Sequence, residues 1–388
     1  MQIKPSVDPI LSASVAAGDV PGVAAAVTTR DSTIYEAAFG LRVLGEAAAM
    51  TPDTVMWIAS MTKPVTGVAA MQMVEQGRLH LDAPASSVLP ELGRFKVLEG
   101  WDGDLPRLRD PKGEITLRNL LTHTSGFAYD IWNADMDKYL TVMNLPRAGS
   151  GRNVALMTPL ASDPGTRWEY GIGIDWAGKM VEAASGQRLG TYMKEHIFEP
   201  LGMSSTGYRI TPAMRKRLAK VHQREADGRL TPTAFEVNQE PEFEPGGGGL
   251  YSTAGDYPKF IRMILNGGQG NGHRLLKQET VDLMSRNAMG ALRVAKLPAV
   301  RASLSCDAEF FEGVPKTWGL TFMINEEKAH TGRPAGSLSW AGLGNTYFWI
   351  DPENGIGGVH MAQVLPFVDP RALAGFYAFE KAVYEALG

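Results

Sequence analysis

The distribution of apolar and polar positions predicts a sheet built from both ends of the chain. Residues 22–29 and 33–40 are mainly apolar, and the turn Arg30-Asp31-Ser32 separates them, which predicts a β-hairpin. Strand patterns return late in the sequence, at residues 318–324, 336–340, 345–350 and 355–363. Short turns separate these segments, so antiparallel pairing into one sheet is expected.

Helical patterns surround these strands and dominate the middle of the chain. Residues 57–76 are apolar on more than one face, which predicts a buried central helix. Further helices are predicted at residues 7–17, 118–123, 173–184, 191–200, 252–266 and 371–387. The predicted fold class is α+β, an α/β sandwich in which helices flank an antiparallel sheet. Residues 1–81 and 246–388 form the predicted sheet domain, and residues 82–245 form an inserted, mostly helical and loop-rich domain.

Composition and charge narrow the possible functions. The 388 residues are 44% apolar and 21% charged, with a net charge of −4, so no basic surface for nucleic acid is indicated. No apolar run approaches the ~20 residues that span a bilayer. The stretch from Met1 to Asp8 lacks the features of a signal peptide, so a cytoplasmic location is expected. The seven histidines and single cysteine show no metal-binding spacing, and no nucleotide motif occurs, so neither metal nor cofactor is expected.

The candidate chemistry begins where the central helix starts. Ser60 and Lys63 are three residues apart, so on a helix their side chains share a face. A serine hydroxyl becomes a nucleophile only when a nearby base takes its proton. The field at a helix start and burial both lower the pKa of a lysine, so Lys63 could be that base. The N–H of Ser60 is also placed to donate to an oxyanion.

Other polar groups could complete such a site. Tyr170 lies between a turn and a predicted helix, where its phenol could relay a proton. His123 would be the best histidine of a Ser-His-Asp triad, although a histidine in such a turn more often bonds the local backbone. No Gly-x-Ser-x-Gly motif occurs, which argues against an α/β-hydrolase. The four glycines of residues 246–249 would let the backbone turn sharply or pass close to another group.

The ordered set of motifs resembles the serine β-lactamase-related superfamily, and within it the class C enzymes and the family VIII carboxylesterases. The resemblance spans nearly the whole chain and rests on Ser60-Met61-Thr62-Lys63, Leu121-Thr122-His123-Thr124-Ser125-Gly126, Tyr170, Gly248-Gly249-Leu250-Tyr251-Ser252-Thr253 and Trp340-Ala341-Gly342. It implies a penicillin-recognising fold with Ser60 as nucleophile, Lys63 as its amine partner and Tyr170 as the relaying phenol. It also implies an oxyanion hole made by the backbone N–H groups of Ser60 and Leu343.

Two departures from the class C pattern bear on the substrate. Class C enzymes carry Lys-Thr-Gly where this chain has Trp340-Ala341-Gly342, and Tyr-x-Asn where it has Tyr170-Gly171-Ile172. Without that lysine a β-lactam carboxylate has no cationic partner, and without that amide an acylamino side chain has no hydrogen-bond partner. Each buried polar group of the substrate left without a partner costs about 1–3 kcal/mol in binding. Trp340 offers a flat apolar wall instead. Residues 340–342 and Ile172 are the expected substrate-binding residues, and neutral, apolar esters are favoured.

The resulting hypothesis is a serine carboxylesterase that hydrolyses short-to-medium acyl esters through an acyl-enzyme, with a small-molecule ester as its partner. Three alternatives remain open at this point. They are an acyltransferase on the same fold, a weak β-lactamase or hydrolase of D-amino-acid or other amide bonds, and a homologue without catalytic activity.

Overall fold

The computed structural model describes residues 3–387, so Met1, Gln2 and Gly388 of the predicted sheet domain lie outside the described residues. In chain order the helices are α1 (Lys4–Ala16), α2 (Thr62–Glu75), α3 (Leu117–Leu121), α4 (Ala134–Val142), α5 (Gly173–Ser185), α6 (Leu189–Met193), α7 (Glu199–Leu201), α8 (Pro212–Arg215), α9 (Tyr257–Leu265), α10 (Gln278–Met284) and α11 (Pro370–Leu387). The strands are β1 (Gly22–Thr29), β2 (Thr33–Gly40), β3 (Met56–Trp57), β4 (Val97–Asp102), β5 (Leu105–Arg109), β6 (His222–Arg224), β7 (Leu230–Pro232), β8 (Tyr251–Ser252), β9 (Gln269–Gly270), β10 (His273–Arg274), β11 (Lys316–Trp318), β12 (Met323–Asn325), β13 (Leu338–Gly342), β14 (Thr346–Asp351), β15 (Ile356–Met361) and β16 (Val364–Leu365).

A seven-stranded antiparallel sheet joins the two ends of the chain, as the sequence predicts. Its order is β11-β12-β13-β14-β15-β1-β2. β15 pairs with β14 on one side and with β1 on the other, where Ala24 lies opposite Met361. Both faces are covered, because every residue of β13, β14 and β15 is buried. The predicted fold class is therefore confirmed: helices flank an antiparallel sheet made from early and late segments.

The central helix predicted for residues 57–76 begins only at Thr62, because Trp57 belongs to β3 and Ala59–Met61 form a 3₁₀ turn. This helix, α2, lies in the main hydrophobic core, as its apolar faces predict. All residues from Thr62 to Met73 are buried, and Gly77, at φ +70°, follows the end of the helix. The helix packs against α5, which ends at Gly186 in a left-handed conformation. Ser60 and Tyr170 precede α2 and α5, so this packing holds the two predicted site segments next to each other.

The segment 82–245 contains strands that the sequence does not predict. β4 and β5 form one hairpin, and β6 and β7 form another. Their pairing follows the twist and irregularity of short strands rather than a clean alternation of apolar positions, since Leu105 and Leu108 of β5 are exposed. The same segment also carries helices α3 to α8, between Leu117 and Arg215.

Two predicted elements late in the chain are wrong in detail. Residues 318–324 are not one strand, because the chain turns after Trp318: Gly319 donates to the Phe322 carbonyl at 2.8 Å, and Thr321 has φ +82°. β11 and β12 flank this turn as a hairpin. The helix predicted for 252–266 begins only at Tyr257, because Tyr251 and Ser252 pair with Met56 and Trp57 instead.

Candidate active site

Ser60 lies in a tight turn that joins β3 to the start of α2. The turn is a single 3₁₀ segment, Ala59–Met61, and Ala59 has φ +45°, an uncommon conformation for a residue with a Cβ. The Gln363 side chain holds the strand before it: its amide bonds both the N–H and the carbonyl of Trp57, at 3.1 and 3.0 Å. Ser60 is half-buried, so its hydroxyl is fixed by the turn yet accessible.

Lys63 places its amine directly beside the Ser60 hydroxyl. Its Nζ is 3.0 Å from Ser60 Oγ and donates to the Gly247 carbonyl at 2.6 Å. The side chain is completely buried. Burial lowers the pKa of Lys63 to about 7, and the Asp175 carboxylate acts in the opposite direction. A substantial fraction of the amine is therefore neutral near neutral pH and can accept a proton.

Tyr170 contacts the same site from the segment before α5. Its hydroxyl accepts a hydrogen bond from the Trp340 indole N–H at 2.8 Å. The Lys63 ammonium group lies 4.7 Å from the centre of its ring. Burial raises the pKa of Tyr170 above its ordinary value, and hydrogen bonds with Ser60 and Trp340 offset part of this effect. The phenol is therefore protonated near neutral pH and has a proton to donate.

His123 supports the Tyr170 segment. It is buried at φ +56°, and its Nδ1 accepts a hydrogen bond from the Gly171 N–H at 3.3 Å. Burial, followed by the positive charge of Lys63, holds the pKa of His123 well below its usual value. Its ring packs on the Tyr170 ring at 4.6 Å. This geometry agrees with the structural interpretation of His123, since its acceptor nitrogen is used by the backbone and not by a serine.

The end of β13 closes the site opposite Ser60. A Cβ on Gly342 would lie 2.2 Å from the Ile58 carbonyl, so glycine lets the strand approach the backbone that leads into Ser60. The N–H groups of Ser60 and Leu343 donate to no backbone carbonyl in residues 3–387. Both are therefore available to an oxyanion from substrate.

The predicted substrate-binding residues have different surroundings. Trp340 packs among aromatic rings, with its indole 4.7 Å from that of Trp318, and its N–H is used by Tyr170. Trp340 thus donates a hydrogen bond from within the core, and its contact with substrate stays a prediction. Ala341 points to the opposite face of β13 from Trp340, because side chains alternate along a strand. Ile172 is 3% exposed, in the main core just before α5.

Two residues for which the sequence predicts no role, the partly buried Tyr129 and the buried Asp175, also contact this site. Tyr129 accepts a hydrogen bond from Lys63 Nζ at 3.3 Å, and Asp175 accepts one from the Gly247 N–H at 2.8 Å. The sequence offers a weak signal for each: Tyr129 follows the Thr-Ser-Gly turn, and Asp175 lies in the first turn of the helix after Tyr170. Neither pattern specifies a connection to Lys63, because the loop that carries Tyr129 and the helix α5 that carries Asp175 come near Lys63 only in the folded chain.

The glycine run explains how these groups come so close. A Cβ on Gly247 would lie 2.7 Å from the Tyr129 hydroxyl and 2.8 Å from an Asp175 oxygen, and one on Gly249 would meet the Tyr208 ring at 2.6 Å. The close backbone approach predicted for residues 246–249 is therefore confirmed. Within residues 3–387 there is no cluster of three or more potential metal ligands. No helix in the described part of the chain has the length and apolar character needed to cross a membrane.

Comparison with known proteins identifies the family. The family model described as Beta-lactamase matches residues 7–382. The chain belongs to the beta-lactamase family. The resemblance to serine β-lactamase-related proteins is thus confirmed across almost the whole sequence.

Relatives of this beta-lactamase family member carry out acyl chemistry, according to their names. It is 33% identical over 393 residues to the monacolin J acid methylbutanoyltransferase of Aspergillus terreus, covering 96% of this chain and 93% of that protein. It is 34% identical over 387 residues to the lovastatin esterase of Penicillium rubens, covering 95% and 94%. The family member described here therefore has both acyltransferases and an esterase among its relatives.

Solved structures agree with this assignment. An Aspergillus terreus simvastatin synthase variant, LovD6, has a TM-score of 0.84 at 31% identity, covering 98% of this chain and 94% of that one. EstCE1, described as a hydrolase with promiscuous acyltransferase activity, has a TM-score of 0.78 at 22% identity, covering 99% and 98%, and supports the fold alone. This beta-lactamase family member is therefore an enzyme of the serine hydrolase and acyltransferase type.

Proposed function

We propose that the protein is a serine carboxylesterase that works through a covalent acyl-enzyme on Ser60. The observation that carries the acyl-enzyme is the 3.0 Å contact between Ser60 Oγ and the amine of Lys63, whose pKa burial lowers to about 7. The relative named as an esterase supports water as the acceptor. A buried neutral amine at hydrogen-bond distance is what a serine nucleophile requires as its base.

Acylation begins when Lys63 takes the proton of Ser60 and the oxygen attacks the ester carbonyl. The N–H groups of Ser60 and Leu343 stabilise the oxyanion, since neither is used by a backbone carbonyl of the described chain. The phenol of Tyr170 then gives its proton to the leaving alcohol. The phenolate that remains is stabilised by the Trp340 N–H and by the newly formed Lys63 ammonium.

Deacylation returns each group to its starting state. The Tyr170 phenolate takes a proton from water, and the hydroxide attacks the acyl-enzyme carbonyl. Collapse of the second tetrahedral intermediate frees Ser60, which recovers its proton from Lys63. The sequence of proton transfers balances, so the pair of Lys63 and Tyr170 serves both half-reactions.

The residues around Ser60 favour neutral, apolar acyl groups. Where class C enzymes carry a lysine on the strand, this chain has Trp340, which is 4% exposed and uses its polar atom on Tyr170. A substrate carboxylate would find no cation at that position, and burying an unpaired charge is costly. Esters without a charged acyl group are therefore the proposed substrates, and β-lactams are expected to react slowly.

Acyl transfer to an alcohol is the second candidate, and the relatives named as acyltransferases favour it specifically. In that reaction an alcohol takes the place of water in the deacylation step, and Tyr170 removes its proton. The same site residues serve both reactions, so the geometry around Ser60 and Lys63 does not select the acceptor.

Product analysis separates the two candidates. The protein is incubated with p-nitrophenyl esters of increasing acyl length, with and without a competing alcohol, and free acid and new ester are quantified by chromatography. For a carboxylesterase, free acid is the main product and the alcohol leaves its yield nearly unchanged. If new ester dominates and p-nitrophenol is released faster with the alcohol, acyl transfer is the function. Nitrocefin, run beside the esters, is expected to turn over more slowly than any of them.

The dependence of kcat/KM on pH is expected to follow Lys63. Below pH 7 the amine is protonated and cannot accept the Ser60 proton, so activity falls about tenfold for each pH unit; above pH 7 it reaches a plateau. Initial rates with a neutral ester from pH 5 to 9 measure this profile. Circular dichroism at each pH controls for unfolding. Activity that rises as the pH drops below 7 would contradict a neutral Lys63 base.

A further inference from the structure

The amine of Lys63 ends in a closed group of three hydrogen-bonding neighbours. They are Ser60 Oγ at 3.0 Å, the Gly247 carbonyl at 2.6 Å and the Tyr129 hydroxyl at 3.3 Å. A neutral amine has two N–H bonds and one lone pair, so three neighbours account for all three positions. Lys63 can act as the base of Ser60 only if its lone pair points toward the Ser60 hydroxyl and not toward another neighbour.

The Gly247 carbonyl accepts a hydrogen bond from the first N–H of the amine. A carbonyl oxygen accepts hydrogen bonds and cannot donate, so the short contact with Lys63 allows only one direction. The N–H of the same residue donates to Asp175 at 2.8 Å. Gly247 therefore holds the base through its carbonyl and the carboxylate through its N–H.

The Tyr129 oxygen accepts a hydrogen bond from the second N–H of the amine, because the proton of the Tyr129 hydroxyl faces Asp175. The Tyr129 hydroxyl lies 3.5 Å from the second oxygen of Asp175, and an ionised carboxylate can only accept. Burial raises the pKa of Asp175, while the Lys63 charge and the hydrogen bonds from Gly247 and Tyr129 favour its ionised form. Burial, then the nearby Asp175 charge, raises the pKa of Tyr129 well above its ordinary value, so the hydroxyl keeps its proton. With that proton directed to Asp175, the Tyr129 oxygen is free to accept from Lys63.

We propose that Asp175 and Tyr129 are positioning residues that direct the lone pair of Lys63 toward the Ser60 hydroxyl. This inference rests on the proposed function, since it assigns Lys63 the part of the base. The two residues touch neither substrate nor Ser60 in the mechanism above and act through Lys63 alone.

The charges that face Lys63 determine whether its pKa rises or falls in the Asp175→Asn variant. Asp175 faces it from α5 with a carboxylate that raises the pKa of Lys63, against the larger lowering effect of burial. Tyr129 and Tyr170 face it as neutral phenols, and His123 is held neutral by burial. Replacing Asp175 by asparagine removes the one negative charge of this set, so the titration of Lys63 moves to lower pH.

The same replacement also changes the direction of hydrogen bonding. If the side-chain oxygen of the introduced asparagine keeps the Gly247 N–H, its amide NH₂ faces the Tyr129 oxygen. The Tyr129 proton then turns toward Lys63 and competes with Ser60 for the lone pair. The plateau of kcat/KM is therefore expected to fall even though more of the amine is neutral at low pH.

The test compares Asp175→Asn and Tyr129→Phe with a matched pair elsewhere in the fold. Tyr35 is buried and donates to Asp8 at 2.8 Å, so Tyr35→Phe removes a tyrosine–aspartate hydrogen bond away from Ser60, and Asp8→Asn removes the charge of its acceptor. Profiles of kcat and kcat/KM against pH are measured with one p-nitrophenyl ester. Tyr129→Phe and Asp175→Asn are expected to lose about 10- to 100-fold in kcat, the scale of a misaligned catalytic group, with KM little changed. Asp175→Asn also moves the acid limb to lower pH, and the control variants match wild type.

A readout independent of turnover separates this proposal from the proposed function. The ¹³Cε resonance of Lys63, assigned by its loss in Lys63→Met, is titrated in wild type and in Asp175→Asn. A midpoint that moves to lower pH supports the inference, and an unchanged or higher midpoint overturns it. Normal kcat in folded Tyr129→Phe also overturns it. Absence of any turnover that depends on Ser60 would instead reject the esterase proposal, whatever the titration shows.

Discussion

Ser60→Ala is expected to lower kcat/KM for p-nitrophenyl esters by at least about 10⁴-fold, because removal of a serine nucleophile eliminates the acyl-enzyme route. The lost oxygen is the one that Lys63 approaches at 3.0 Å, and Tyr170 and the two oxyanion donors cannot replace it. Only weak acceleration by the remaining polar groups would persist. Fluorophosphonate labelling, followed by mass spectrometry of the peptide that contains residue 60, provides a direct second measurement.

Ser125→Ala is the matched control for this experiment. Ser125 is buried, whereas Ser60 is half-buried; it lies in the turn beside His123 and has no part in the proposed mechanism. It is expected to keep its rate and its labelling within about twofold of wild type. A folded Ser60→Ala protein that retains a tenth of the wild-type rate, or wild type that is labelled at another serine, would show that the nucleophile lies elsewhere.

Tyr170→Phe is expected to lower kcat/KM by about 10²- to 10⁴-fold, the usual contribution of a general acid or base. The ring packing with His123 and Trp340 is preserved, and only the proton-carrying oxygen is lost. The Trp340 N–H then has no acceptor, which costs about 1–3 kcal/mol in the free energy of unfolding. The loss is expected to be larger for an alkyl ester than for a p-nitrophenyl ester, because p-nitrophenolate leaves without needing a proton.

The comparison between the two esters isolates the acid role of Tyr170. Tyr347→Phe serves as its control, since Tyr347 is fully buried and its hydroxyl donates to Asn345 within the sheet. Equal losses for both esters would assign Tyr170 only to deacylation or to packing. Unchanged turnover in a folded Tyr170→Phe protein would remove it from the mechanism.

The sheet could be predicted well because its strands carry local signals. The apolar run of β1, the turn at Arg30-Asp31-Ser32 and the short turns between β13, β14 and β15 specify pairing between neighbours in sequence. The errors occur where a tertiary contact overrides the local pattern. Ser252 fits a helix start by itself, but it pairs with Met56 of β3, next to the pair of Tyr251 and Trp57. Thr321 fits a strand, but it adopts φ +82° beside α2, where a Cβ on Gly67 would meet its side chain.

The site was only partly predictable for a related reason. Ser60 and Lys63 lie within one helical turn, so their spacing alone brings them together. Tyr170, Trp340 and Leu343 are remote in sequence. The local pattern makes Tyr170 a candidate, but Leu343 follows only from the family resemblance, and neither source predicts the hydrogen bond between Trp340 and Tyr170. Tyr129 and Asp175 fit no catalytic motif: Tyr129 bonds Lys63 directly from a loop that is remote in sequence, and Asp175 is connected to Lys63 through the backbone of Gly247.

The place of β15 between β14 and β1 has a consequence for how the protein is made. Ala24 pairs with Met361, which is 361 − 24 = 337 residues later. The pairing of β1 with β15 can therefore form only after residue 361 has left the ribosome. Pairings of such high contact order form slowly. During synthesis the β1–β2 hairpin has an open edge, and such edges expose nascent chains to aggregation. Ser60 and Lys63 emerge early, whereas Trp340 and Leu343 emerge late, so a chain cut short before β13 would carry the proposed nucleophile and base without the Leu343 N–H of the proposed oxyanion hole.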